Sequence, residues 1–483
     1  MTTAKKFNKI VILDTVIFYP EHRELLNSLA HEVVEYPSSL PESLERQYVD
    51  QPELFKNTKC YTELGANNTP LQLLMNRCEG ADVIISCWTN IPDEILKANK
   101  ALKLVVFWTH EKEHRINVPL AQELGIEVKN VPDYGTHAVK EAVFAGFWKI
   151  LEKNYQPDVV SPQNEAHKVV GFLFDAYRKI DQNEKNTRKG KFSHHFHKLG
   201  QASFDFTAKN LDELIPEKLI EKKNVGLLGI DNSSLMSMLL ALDVRVETME
   251  KVDFNDAEFY KFLVENEYVF VNAKNFEASD IKQMQMIKKE KLVDINTLKN
   301  IEYSFSDKTF GIVGMGRIAT EVAKIAKKLG FTVIYNSRTR KVELEEKLDI
   351  LYVDLETLLK QSDVVSVHVS AHKAENLLDA DKIALMKTGA IFINTADGNA
   401  LDQIALTKRM EKGEIVAYLD VYPGLPRKDI LGLPMIDKDD WKLKDSLGKS
   451  VLGYRVGWKT QESIKVKTYK TLGYLISYLL TEK

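Results

Sequence analysis

One stretch restricts this chain more than any other. Phe310-Gly311-Ile312-Val313 reads as an apolar strand and runs straight into Gly314-Met315-Gly316-Arg317-Ile318-Ala319, a Gly-x-Gly-x-x-Ala turn. A helical pattern follows over Glu321–Leu329, then Gly330, then a second strand over Thr332–Tyr335. Each residue type has a physical task in that order. Gly314 permits the tight turn. Gly316 lets backbone come close to a pyrophosphate. Ala319 is small enough for the helix to lie against the strand. The helix N-terminus, with its unpaired N–H groups, favours an anion. The stretch therefore predicts a dinucleotide site that uses the backbone of Gly314, Gly316, Arg317 and Ile318. The second strand leads into Asn336-Ser337-Arg338-Thr339-Arg340. An acid usually stands there to accept the ribose 2′-hydroxyl of NAD, and none is present. Ser337, Arg338 and Arg340 suit a 2′-phosphate instead, so NADP is favoured over NAD.

The rest of the chain supplies similar units. In the first part, strands are expected at Lys9–Leu13, Val83–Ser86, Leu104–Phe107 and Ile126–Lys129, with helices at Glu21–Ala30 and Pro119–Leu124 between them. This alternation predicts parallel βαβ units. A helix is expected at His137–Glu152 and another at Asn164–Gln182, followed by a polar, basic stretch, Asn183–Lys191. Gln461–Leu480 reads as one amphipathic helix. At 483 residues two or three domains are expected. With 66 basic and 69 acidic side chains there is no electrostatic footprint for nucleic acid or an anionic membrane. No apolar run approaches the roughly 20 residues of a membrane span. The N-terminus does not read as a signal peptide, and Cys60, Cys78 and Cys87 have no metal-like or disulfide-framework spacing. A reducing cytoplasm is the expectation.

Several spaced motifs accompany the glycine turn. They are Leu359–Val369, Leu385–Thr395 and Leu419-Asp420-Val421-Tyr422, with Ala81–Ile85, Gly125–Pro132 and Ala138–Glu141 further upstream. Together these make the chain resemble the D-2-hydroxyacid dehydrogenase family. The resemblance implies an α/β architecture with two parts, a Rossmann nucleotide-binding domain over 307–460 and a flavodoxin-like substrate-type domain over 1–153 completed by the helix at 461–483. It also implies Thr395 and Asp420 as cofactor-side residues, a small anionic metabolite as ligand, and a homodimer through the nucleotide-binding domain. The implied chemistry is hydride transfer, with an Arg clamping the substrate carboxylate and a His–Glu pair handling the proton. At those three positions this chain has Asp397, Leu425 and Tyr454. The family's Gly-x-Gly substrate loop is replaced by Trp108-Thr109-His110-Glu111-Lys112-Glu113-His114-Arg115.

Two function classes stay open. One is an NAD(P)-dependent oxidoreductase with rebuilt chemistry, in which Tyr454 donates a proton and Arg455, His110, Lys112 or Arg115 holds an anion. The other is a catalytically silent dinucleotide sensor, scaffold or partner subunit. His110-Glu111-x-x-His114 matches a zinc-hydrolase pattern, but it directly follows a strand rather than lying on a helix, and no metal is expected there. The cluster His194, His195, His197 reads as surface.

Residues 154–306 exceed the family's length and read as an insertion. They look like a degenerate copy of the domain that follows. Val225–Ile230 parallels Phe310–Met315, Asn266–Asn272 parallels Ser362–His368, and Ile287–Thr297 parallels Leu385–Thr395. Glu165-Ala166-His167 onward looks like a repeat of the helix at 137. In the copy Asp231 stands at the place of Gly316 and Ser234 at that of Ala319, so a Rossmann-like module without a cofactor is expected over Lys223–Thr297.

Overall fold

The structure is a computed structural model, and it describes residues 6–14, 16, 18, 20–36, 71–87, 89–110, 112–113, 115–155, 166–173, 224–242, 244–298, 303–369, 374, 376–396, 398–421, 449–452, 457 and 461–481. Three parallel sheets organise them. The first consists of β1 (Phe7–Ile12), β2 (Ala30–Glu35), β3 (Val83–Ser86), β4 (Leu104–Phe107) and β5 (Glu127–Asn130), in the order β2-β1-β3-β4-β5. The central strands are buried on both faces, as parallel strands covered by helices must be. One cover is the C-terminal helix Gln461–Thr481, whose Ile464, Leu472 and Leu475 join Phe7, Ile10 and Ile12 in one core. The helix expected to reach Ala30 ends at Ser28, and Ala30 opens β2 instead. That strand lies at the sheet edge with His31 and Glu32 exposed, so its apolar alternation is weak.

Helix Thr136–Asn154 leaves this sheet. It is two residues longer at its C-terminal end than expected, and every residue from Ala142 to Leu151 is buried. A helix apolar on all sides has to be packed on all sides. Phe144 stacks on Phe310 with centroids 6.1 Å apart, and Phe147 meets Tyr303, Phe305 and Phe331. Gly146 lies flat against the Tyr418 ring, where a Cβ would come within 2.1 Å of Cγ.

The last sheet consists of β10 (Thr309–Val313), β11 (Thr332–Asn336), β12 (Leu351–Tyr352), β13 (Val364–Val367), β14 (Ala390–Asn394), β15 (Ile415–Leu419) and β16 (Val451–Leu452), in the order β12-β11-β10-β13-β14-β15-β16. The strand order reverses between β10 and β13, which is where open α/β sheets bind ligands. Helix Arg317–Lys328 begins four residues before the expected start. It buries Ala319, Val322, Ala323 and Ala326, the i, i+3, i+4, i+7 spacing of a core-facing stripe.

Between these two sheets in sequence lies a third. It consists of β6 (Asn224–Leu228), β7 (Arg245–Met249), β8 (Tyr268–Val271) and β9 (Leu292–Asp294), all parallel, in the order β7-β6-β8-β9. Its neighbours run in the same sequence as β11-β10-β13-β14. Val225, Leu227 and Leu235 share a core with Phe310, Ile312 and Val322, so this layer packs on the last sheet. Of the helix expected at 164–182, residues 166–173 are described and helical; the remainder, and the stretch at 183–191, lie outside the described residues.

Candidate dinucleotide site

The glycine turn sits at the carboxyl end of β10. Gly314 has φ +92°, a conformation that L side chains rarely adopt, and a Cβ there would lie 2.6 Å from the His368 carbonyl oxygen. Gly316 caps the following helix with no side-chain hydrogen bond, and a Cβ on it would project into open space. The first N–H groups of that helix therefore keep their bonding capacity for a ligand. The turn forms the floor of a cleft of about 490 Å³ lined also by Arg317, Ile318, Ser337 and Arg338.

Thr395 lines the same cleft, and its buried Oγ1 has no hydrogen-bond partner in the protein. A buried hydroxyl of this kind is normally satisfied, so its partner is expected from a ligand. Asn394, fully buried beside it, accepts the Ala396 N–H at 3.0 Å and donates to the Val421 carbonyl at 2.9 Å, which holds this edge in place.

The end of β11 corrects one expectation. Arg340 does not line the cleft. Its guanidinium forks onto Glu345, with Nε–Oε1 at 2.9 Å and Nη2–Oε2 at 2.7 Å. That pairing, with the Tyr335 hydroxyl donating to the same carboxylate at 2.8 Å, holds the Glu345 carboxyl below its ordinary range. Lys341 takes its place on the cleft wall. The sequence offered one signal for it, a basic residue next to the strand end. The Ser337 hydroxyl donates to the Thr339 carbonyl at 2.6 Å.

Asp420 is a second correction. It is 2% exposed and does not line the cleft; its Oδ2 accepts the Gly457 N–H at 2.9 Å, so it ties two chain segments together.

On the opposite wall, His110 and Val139 come from the first sheet and the long helix. The His110 Nδ1 accepts the Asp133 N–H at 3.4 Å, and its carbonyl accepts from Asn130 Nδ2 at 2.6 Å. Lys112 is directed elsewhere: its ammonium donates to the Val128 carbonyl at 2.9 Å and is anchored to β5. Arg115 belongs to a separate shallow depression with Asn90 and Asn117. Asp397, Leu425, Tyr454 and Arg455 lie outside the described residues, as do Glu111, His114 and the histidines at 194, 195 and 197. Among the described residues no three His, Cys, Asp or Glu side chains gather as a metal cluster. No described helix is long and apolar enough to cross a membrane.

Residues 269–436 match the sequence pattern of the NAD binding domain of D-isomer specific 2-hydroxyacid dehydrogenases. The match covers about a third of the chain, and over that span the chain is similar to this domain. The glycine turn, the end of β11 and Thr395 fall within the matched span, whereas His110 and Val139 of the opposite wall lie outside it. A glyoxylate reductase from Thermococcus litoralis is 44% identical over 140 residues, which is 29% of this chain and 42% of the relative. A glyoxylate/hydroxypyruvate reductase B from Shigella flexneri is 43% identical over 123 residues, 25% of this chain and 38% of the relative. The chain thus spans less than half the length of these curated relatives. Two solved structures share the fold at a TM-score of 0.50. One is an acyclic imino acid reductase in complex with NADPH and D-Arg, 19% identical, with 98% of this chain and 97% of that one covered. The other is an NAD-complexed D-isomer specific 2-hydroxyacid dehydrogenase from Lactobacillus delbrueckii ssp. bulgaricus, 15% identical, with 99% and 98% covered.

His368 was not foreseen, although it ends a motif that was. It lines the cleft, half-buried, with Nε2 2.9 Å from the Ser366 hydroxyl. Desolvation pushes its imidazole down to about 4 from 6.5. The neutral ring is therefore the native form. The unfolded chain takes up a proton as pH falls below about 6.5, whereas the folded chain does so only near 4. Stability is full above the unfolded value and is lost as pH falls through this window. We expect about 1 to 2 kcal/mol less stability at pH 5 than at pH 7 from this residue. Urea unfolding at the two pH values checks it: His368→Gln should flatten the difference, and an unchanged pH slope would refute the assignment.

Proposed function

We propose that this chain is a NADP(H)-binding member of the family that does not carry the family's keto-acid reduction by the family's residues. One observation carries the cofactor reading. The wall at the end of β11 presents Ser337, Arg338 and Lys341 to the cleft and no acid. A 2′-phosphate is recognised there by charge-assisted bonds, whereas a ribose 2′-hydroxyl has no carboxylate to receive it. The residues that face the cleft suit the group: Gly316 leaves room for the pyrophosphate, and the Thr395 hydroxyl awaits a partner. When bound, the nicotinamide would supply hydride chemistry.

The loss of family chemistry rests on Asp397, Leu425 and Tyr454 standing where Arg, Glu and His would. A carboxylate in place of the carboxylate clamp reverses the sign of a strong interaction. The second reading, an oxidoreductase with rebuilt chemistry, is favoured by one residue: His110 lies on the cleft wall facing the glycine turn.

Within this reading, the β6–β9 layer is a degenerate copy of the last sheet. Gly226 and Gly311 occupy the same place in their strands. A Cβ at Gly226 would meet Phe262 at 2.6 Å, and one at Gly311 would meet Leu358 at 2.8 Å, both on the helix that precedes the third strand of the order. Gly229 has φ +59° where Gly314 has +92°. The feature that closes the copied turn is not the expected Asp231 charge alone. Phe276 covers Gly229, 2.5 Å from where a Cβ would stand, and the Asn232 side chain caps the helix by accepting the Leu235 N–H at 2.9 Å. Both features occupy what a pyrophosphate would need.

Fluorescence titration with NADPH and NADH tests the cofactor reading. NADPH should bind at least as tightly as NADH, and Arg338→Ala should weaken NADPH about tenfold while leaving NADH within twofold. A clear NADH preference, or unchanged NADPH affinity in the variant, would refute it. With glyoxylate, hydroxypyruvate and pyruvate, kcat should stay below roughly 1 s⁻¹, the low end of ordinary enzymes.

A further inference from the structure

Arg317 is the first residue of its helix, next to Gly316 on the cleft floor, yet its guanidinium is engaged. Nη1 donates to Asp133 Oδ2. Asp133 comes from the other wall, in the turn after β5, 184 positions away in sequence. Its φ is +63°, unusual for a residue with a side chain. Its own N–H holds His110, and its second carboxylate oxygen, Oδ1, is buried with no hydrogen-bond partner. The ring of the next residue, Tyr134, packs 4.1 Å from the buried Lys467 ammonium, which fixes the turn from beneath.

We propose that Asp133 sets dinucleotide affinity from outside the nucleotide-binding sheet, its carboxylate competing with the cofactor pyrophosphate for Arg317. The inference rests on the cofactor reading of the cleft. Arg317 stands where a pyrophosphate on the helix N-terminus would place two negative charges. If the guanidinium turns to the phosphates, Asp133 keeps a carboxylate with one buried unpaired oxygen and loses its cation. If it stays on Asp133, the phosphates lie beside a carboxylate and lack a charged donor. Either arrangement weakens binding relative to a chain without that charge. The same exchange alters the only side-chain link of Asp133 to the opposite wall recorded among the described residues, so phosphate occupancy is transmitted to the turn that holds His110. Arg317 and Asp133 are 63% and 40% exposed, so solvent screening limits the effect to several-fold.

Three proteins are compared by fluorescence titration with NADPH and NADH at low salt: wild type, Asp133→Asn and Glu321→Gln. Asparagine keeps the shape and tolerates the left-handed backbone. Glu321 is a control on the same helix; it pairs with Lys324 and Lys140 and does not line the cleft. Asp133→Asn should bind both cofactors about fivefold tighter, and Glu321→Gln should stay within twofold. Thermal unfolding confirms that each variant folds. Equal or weaker binding by Asp133→Asn, with wild type binding normally, overturns the Asp133 proposal and leaves the cofactor reading standing. Equal tightening by both variants also overturns it, because general charge would then explain the gain. Failure of wild type to bind either dinucleotide refutes the cofactor reading instead. Calorimetric titration with inorganic pyrophosphate then decides the proposal on its own: no tightening in Asp133→Asn overturns it.

Discussion

Gly314→Ala is expected to lower dinucleotide affinity at least about a hundredfold, close to 3 kcal/mol. The added Cβ would lie 2.6 Å from the His368 carbonyl oxygen and 2.9 Å from its carbon, and neither can move cheaply. The His368 N–H donates to the Val313 carbonyl at 2.7 Å, and the Gly314 N–H donates to the Asn336 carbonyl at 2.7 Å, so both sides of the contact are held by backbone bonds. The backbone at +92° adds a further cost of about 1 to 3 kcal/mol for a residue with a side chain. Relief requires the turn to shift, and the turn is the cofactor floor. Titration with NADPH of a variant shown by circular dichroism to be folded measures the loss. Affinity within threefold of wild type would remove this turn from the site.

Gly146→Ala should damage the fold severely for a single added methyl. In an isolated helix this change gains about 1 kcal/mol. Here the methyl would enter the Tyr418 ring, 2.1 Å from Cγ and 2.2 Å from Cδ1. Tyr418 is fully buried on β15 and has no room to retreat. Overpacking outweighs the propensity gain, and a net loss of about 2 to 4 kcal/mol is expected. In a chain of this size that lowers Tm by about 2 to 4 °C. Thermal unfolding decides the matter, and an unchanged or raised Tm would show that the helix does not lie against β15 in this way.

These two glycines differ in how legible they were. Gly314 stands inside a motif whose parts are all within ten residues, so strand, turn and helix N-terminus could be named together from the sequence. Gly146 sits in the middle of a helix with nothing local to mark it, and only its partner 272 positions later gives it a role. The same division separates Arg338 from Arg340. Both follow β11, and both were assigned to the phosphate. Glu345, on the next helix, takes Arg340 and leaves Lys341 to line the cleft. Asp420 matched a family motif in sequence, but its burial against Gly457 directs it inward. Phe276 lies 47 positions beyond Gly229, so no local pattern revealed that its ring closes the copied turn.

What the chain alone determined is therefore what short-range chemistry controls. Apolar periodicity set the parallel strands β1, β3, β4 and β10, because burying both faces of a strand needs a continuous apolar run. The backbone freedom of glycine set the turn at Gly314, and the missing acid after β11 set the expected cofactor. The tertiary structure decided which charged side chains reach the cleft. An Arg or Lys spans several ångströms and turns to whichever carboxylate the fold brings near, and that carboxylate comes from another helix or another sheet. Arg340 with Glu345 and Arg317 with Asp133 are both settled in that way.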